Sequence, residues 1–125
     1  MKKTVIVLGS TGMIGHVIYT YLKMLNSYNV IGVSKSSSRF TDCKINIETN
    51  LPLVQKLIKS KKPNVVINCI GLLIKESDQF PRRALFVNNY FPHYLEKITK
   101  NTKKILLYIL IKYPNSIALF KKLKK

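Results

Sequence analysis

Apolar residues run without interruption over Thr4 to Leu8 (TVIVL) instead of alternating with polar ones. A short β-branched run of this kind is what a central parallel strand needs when both of its faces are covered. Gly9 closes the run, and from Met13 to Leu25 the period changes. Ile14, Val17, Ile18, Tyr21, Leu22 and Leu25 recur at three- and four-residue steps, which predicts a helix burying that face. Asn26 to Asn29 reads as a turn, and Val30 to Val33 (VIGV) as a second short strand.

Further along, the serines from Ser34 to Ser38 mark a loop, and Cys43 to Ile47 suits a brief edge strand. Asn50 to Ser60 predicts a helix with Leu51, Val54, Leu57 and Ile58 turned inward. After Pro63, Val65 to Ile70 (VVINCI) is a third strong strand ended by Gly71, and Leu72 to Phe80 reads as a loop. Pro81 suits a first helical turn, and Ala84, Leu85, Val87, Tyr90, Phe91, Tyr94, Leu95 and Ile98 then trace the inner face of a long helix. Pro92 removes one rung of that helix, so a kink is expected near Asn88 and Asn89. Ile105 to Ile111 is a fourth major strand, Pro114 breaks it, and Asn115 to Lys125 fits a short basic helix. Strands and helices alternating at this spacing imply right-handed crossovers. The expected fold is therefore α/β: a Rossmann-type parallel sheet with helices on both faces, occupying residues 1–111 and followed by a divergent basic tail, 112–125.

The most informative chemistry lies between the first strand and the first helix, where Gly9-Ser10-Thr11-Gly12-Met13-Ile14-Gly15 reads G-x-x-G-x-x-G. Gly9 permits a tight turn, Gly12 lets the backbone approach a pyrophosphate, and Gly15 lets the helix pack close to the sheet. N–H groups at the start of the helix then face the phosphate charge. Placed in a strand–turn–helix context, the motif points to a dinucleotide. The end of the second strand bears on which one. An acidic group there accepts from a ribose 2′-hydroxyl, whereas basic and hydroxyl groups hold a 2′-phosphate. Ser34, Lys35, Ser36, Ser37, Ser38 and Arg39 stand here with no carboxylate before Asp42, which favours NADP over NAD.

Composition alters this picture little. The formal charge of +17, from 22 basic and 5 acidic residues among 125, would ordinarily suggest a polyanion. Arg39, Arg82 and Arg83 are the only arginines, however, and the lysines are spread along a chain rich in Ile and Asn, as codon bias in an AT-rich genome produces. Specific base recognition leans on Arg, so no specific nucleic-acid partner is expected. Cys43 and Cys69 stand alone, without the spacing of a metal site or disulfide framework, which fits a reducing cytoplasm. Lys2 and Lys3 before the uncharged stretch to Leu22 resemble a membrane segment, but the glycines in its middle argue for strand, turn and helix instead.

The segments GSTGMIGH, VVINCIG and, after an acidic residue, RRALFVNNYFPHYLEK make the chain resemble the extended short-chain dehydrogenases. The likeness is greatest to the dTDP-4-dehydrorhamnose reductases and related sugar-nucleotide reductases of surface-polysaccharide synthesis, and it covers about Lys2 to Ile109. It implies that Gly9 to Gly15 contact the pyrophosphate, Ser34, Lys35 and Arg39 the adenosine ribose phosphate, and Asn46 and Ile47 the adenine. Ile70 and Gly71 would meet the ribose near the nicotinamide, and Asn88 would help order the active site. Asn46 stands where that family usually has Asp, which weakens one hydrogen bond to the base.

A larger departure follows Ile111. The family supplies a catalytic hydroxyl at the end of this strand and a Tyr-x-x-x-Lys on a later helix, where the lysine lowers the tyrosine pKa. This chain continues Lys112-Tyr113-Pro114-Asn115-Ser116, and nothing after it matches. Two Tyr-x-x-x-Lys pairs do occur. Tyr19 and Lys23 form an ordinary i, i+4 helix pair, and Tyr108 and Lys112 on a strand would stand more than ~12 Å apart. His16 and His93 read as packing or surface residues. No catalytic or metal-binding residue is therefore expected, and the sequence reads as a truncated, cofactor-binding half of such a reductase with an open sheet edge prone to self-association or to pairing with a complementing chain. The alternatives are a non-catalytic NADP-sensing module and a gene remnant without selected function.

Overall fold

The computed structural model describes residues 2–72, 74–100 and 105–108. Its elements are β1 (Lys3–Leu8), α1 (Gly15–Leu25), β2 (Tyr28–Ser34), β3 (Cys43–Lys44), α2 (Pro52–Lys61), β4 (Val65–Asn68), α3 (Ile74–Gln79), α4 (Pro81–Leu85), a π-helical turn (Phe86–Tyr90), α5 (Phe91–Thr99) and β5 (Ile105–Tyr108). The strands form one sheet in the order β3-β2-β1-β4-β5, and every pairing is parallel. β1 lies in the middle, with Val5 opposite Val30 on one side and Val65 on the other. Chain winding reverses beside β1, and in open α/β sheets ligands bind at the carboxyl ends of the strands around such a reversal.

The unbroken apolar run of β1 is explained by its two covered faces. Ile6 and Leu8 join Val33, Val66, Val54, Ile58, Phe91 and Leu95 in one core layer, built against α2 and α5. Val5 and Val7 point the other way, to Val30, Ile67, Cys69 and Tyr19, with Ile18 and Leu22 of α1 packed around them. Helices thus cover both faces, as the sequence predicts. Phe91 and Leu95 are fully buried, each such side chain stabilising the fold by roughly 1.5–3 kcal/mol.

Four local expectations are corrected. The inner face of α1 is carried by Gly15, Ile18, Tyr19 and Leu22, while Val17, Tyr21 and Leu25 are 57%, 59% and 43% exposed. This helix bears two apolar stripes, and periodicity alone cannot say which one meets the sheet. Residues expected to form a loop from Leu72 to Phe80 instead contain α3. On the long helix Leu85 and Tyr90 face outward, at 64% and 54% exposure, because the helix does not keep a 3.6-residue period. Only Cys43 and Lys44 of the expected edge strand pair with β2, although Ile45 and Ile47 beyond them are buried.

The expected kink is present as a π turn. A proline ring collides with the carbonyl four residues earlier in an α-helix, here that of Asn88. Widening the turn relieves the collision, and the Phe91 N–H accordingly donates to the Phe86 carbonyl five residues back.

Candidate functional site

At the carboxyl ends of β1 to β4 lies an open cleft of about 260 Å³. Gly9, Thr11 and Gly12 line it from the β1–α1 turn, Ser34 and Lys35 from the end of β2, and Ile45 to Glu48 from the segment after β3. Cys69 to Leu72 contribute from the exit of β4, and Glu76, Arg83 and Val87 from the helices beyond it.

The glycine turn has the geometry its spacing requires. Gly9 has φ +80°, a left-handed conformation that favours glycine, and its N–H and that of Ser10 both donate to the Val33 carbonyl. A Cβ on Gly15 would lie 1.8 Å from the Gly9 carbonyl oxygen, so the start of α1 presses directly on the strand exit. Gly12 differs. A Cβ there would meet only the Gly9 carbonyl, at 3.4 Å, so its missing side chain leaves cleft space open without being needed for packing. A bare backbone at the head of an 11-residue helix suits a phosphate group.

The candidates at the end of β2 separate. Lys35 is exposed on the cleft wall. Ser34 also lines the cleft but is buried, and its hydroxyl donates to the Ser36 carbonyl at 2.7 Å while lying 2.8 Å from the Thr41 hydroxyl. Arg39 is outside the cleft lining, its guanidinium 4.8 Å from the ring centre of Phe40. Asp42, the first carboxylate after β2, faces away from the cleft wall. It accepts from the Gly32 N–H at 2.8 Å and the Tyr19 hydroxyl at 3.0 Å.

Asn46 and Ile47 flank the cleft on the next segment, where Asn46 Oδ1 accepts the Glu48 N–H and shapes the turn into α2. Ile70 and Gly71 line the far side. Asn88 stands behind them, accepting the Leu72 N–H through Oδ1 at 2.9 Å. Ser10, Met13, Ile14 and Gly15 belong to the turn but do not line the cleft. Ser10 is fully buried beneath it, and Met13 is 70% exposed on the outside.

Several lining residues escape a reading of the sequence. Arg83 of α4 grips both carboxylate oxygens of Glu48, with Nε 3.2 and 3.0 Å from Oε1 and Oε2 and Nη2 2.8 Å from Oε1. The Arg83 guanidinium holds the Glu48 carboxyl below its ordinary value, with help from Lys35. Two charges 35 positions apart leave no mark in periodicity or motif. Asn68, buried outside the cleft lining, shapes the wall from behind, its Oδ1 accepting the Ile70 N–H where the chain leaves β4.

The Tyr19–Lys23 pair does not have the chemistry of an activated tyrosine. Burial, then the hydrogen bond to Asp42, push the Tyr19 hydroxyl up to about 12, the reverse of what a general acid near neutral pH needs. Lys112 of the other pair lies outside the described residues. His16 sits at the foot of the glycine turn, its Nδ1 2.8 Å from the Gly12 carbonyl and its ring tilted against Phe40. Among the described residues no three His, Cys, Asp or Glu side chains converge on a metal position.

The sequence matches the family described as NAD dependent epimerase/dehydratase over residues 5–103. The chain belongs to that family. Its fold is the family's NAD(P)-binding fold, and solved structures agree in shape. L-threonine 3-dehydrogenase from Trypanosoma brucei superposes with a TM-score of 0.72 at 14% identity, over 86% of this chain and 36% of that one. L-threonine dehydrogenase from Clostridium difficile gives 0.70 at 21% identity, over 86% and 36%. The dTDP-4-dehydrorhamnose reductase of Bacillus anthracis, solved in complex with NADP, gives 0.68 at 20% identity, over 85% and 35%. This chain therefore spans about a third of the length of these proteins. No curated protein sequence matches it.

Proposed function

We propose that this chain binds NADP in the cleft at the carboxyl ends of β1 to β4, as the cofactor-binding part of a reductase acting on a nucleotide-linked sugar in polysaccharide synthesis. The observation that carries the reading is Gly12, which lines the cleft at the head of α1 and leaves open the space a side chain would fill. Enclosed sites for drug-sized ligands run to ~300–1,000 Å³, so a cleft of about 260 Å³ suits one portion of a dinucleotide rather than the whole. Ile47 and Val87 offer apolar walls for an adenine, and Lys35 offers a cation for the ribose phosphate.

Preference for NADP rests on Lys35 and on the engagement of Asp42 elsewhere. A dehydrogenase of the usual NAD type presents a carboxylate to the ribose 2′-hydroxyl at the end of the second strand. Here the first carboxylate after β2 is occupied by a backbone N–H and a tyrosine. The cofactor, when bound, supplies a hydride; the chain supplies binding and orientation.

These 125 residues bind without turning over a ketosugar, because neither Tyr-x-x-x-Lys pair in them is suited to catalysis. No described helix is long and apolar enough to cross a membrane, and the two cysteines are free, in keeping with a cytoplasmic protein. Fluorescence titration of the purified chain with NADPH tests the proposal. Saturable binding that Gly12→Asp abolishes supports it, and wild-type protein that leaves NADPH emission unchanged refutes it. Ketosugar-dependent NADPH oxidation by the pure chain would refute the statement about turnover.

A further inference from the structure

The cleft is not simply another basic surface of a chain with 22 basic and 5 acidic residues. Two of those five carboxylates, Glu48 and Glu76, line it together with Lys35 and Arg83. Four charges of balanced sign therefore meet at the site, and their pairing decides what the site recognises. Arg83 occupies both oxygens of Glu48, and the side chains of the two are 40% and 30% exposed. Lys35, which lines the cleft from the end of β2, remains the cation there. An ion pair this exposed contributes little to stability, so holding the fold together does not account for it.

We infer that Arg83 determines cofactor preference by occupying both oxygens of Glu48, which leaves Lys35 to meet a 2′-phosphate. The inference rests on the dinucleotide reading of the cleft. Without Arg83, the Glu48 carboxylate is free to turn to Lys35, which lines the same cleft and already acts on it electrostatically. It then neutralises that lysine, repels a 2′-phosphate, and offers the acceptor that a bare ribose 2′-hydroxyl prefers. Arg83 is thus a specificity-determining residue acting through Glu48, and one that the turn after β2 does not contain.

The test is parallel titration of the full chain with NADPH and NADH, for wild type, R83Q, R83K and the double variant E48Q/R83Q, each first checked for a wild-type circular dichroism spectrum. R83Q is expected to weaken NADPH binding about tenfold, the loss of one charge-assisted contact, while NADH binding changes less than about twofold. R83K, which keeps the charge, should hold the NADPH:NADH ratio within about threefold of wild type, and E48Q/R83Q should restore it, because the liberated carboxylate is gone. Equal weakening for both cofactors in R83Q, an unchanged ratio, or no recovery in the double variant overturns the inference while leaving the dinucleotide reading intact. Wild-type protein that binds neither cofactor overturns both.

Discussion

Asn88 engages Leu72 much as a neighbouring strand would, its Oδ1 accepting the Leu72 N–H at 2.9 Å and its Nδ2 donating to the Leu72 carbonyl at 3.3 Å. The pair ties the π turn to the segment leaving β4, the same segment that forms one wall of the cleft. A helix side chain thus fixes the backbone of a binding wall.

Replacing Asn88 with Leu removes both bonds and leaves the two Leu72 backbone groups without this partner. The expected cost is about 1–3 kcal/mol, read as a lower urea midpoint with an unchanged slope. NADPH binding should weaken in parallel. A variant as stable as wild type would show that the pair does not hold the wall.

The glycines should divide into two kinds. A Cβ on Gly15 would lie 1.8 Å from the Gly9 carbonyl oxygen, and one on Gly32 would lie 2.2 Å from the Phe40 carbonyl oxygen and 2.8 Å from the Tyr19 ring. Neither neighbour can yield without moving backbone, so Gly15→Ala and Gly32→Ala should each cost about 1–3 kcal/mol or more. Gly12→Ala should leave thermal stability close to wild type and weaken NADPH binding, since its nearest contact is an ordinary 3.4 Å. Equal destabilisation by all three would contradict this division.

That division also shows how far the sequence could be read. Spacing alone marks Gly9, Gly12 and Gly15, because a strand–turn–helix junction constrains residues close in the chain. Gly32 sits inside a strand pattern and looks like a mere weak point. What requires it is contact with Tyr19, Ser10 and Phe40, brought together only by tertiary folding. The strands and their parallel arrangement follow from apolar runs that need two covered faces. α3 hides among polar residues whose pattern predicts a loop, and the outward stripe of α1 is as apolar as the inward one. At the cleft, Lys35, Asn46 and Ile70 are legible through the likeness to a family, whereas Arg83 and Glu48 are not, since their pairing joins α4 to the turn before α2.

Stability should fall in alkali. Burial pushes the Cys69 thiol from 9.0 up to about 12, and burial with Asp42 pushes the Tyr19 hydroxyl from 10.0 up to about 12. Both groups are neutral when protonated, and the folded state retains those protons to higher pH than the unfolded chain. Their contribution is fully present below pH 9 and is lost as the pH rises through the interval from 9 to about 12. Urea midpoints measured from pH 7 to pH 11 should therefore decline above about pH 9, and less steeply in Tyr19→Phe. A flat profile would mean that neither group titrates differently on unfolding.

Backbone amide chemical-shift mapping during NADP titration tests the central claim most directly. Binding at this cleft predicts that the largest shifts fall on Gly9 to Gly12, Ser34 and Lys35, Asn46 to Glu48, and Ile70 to Leu72, with α2 beyond its first turn little affected. Saturation without shifts at the glycine turn, or no shifts at all, would contradict it.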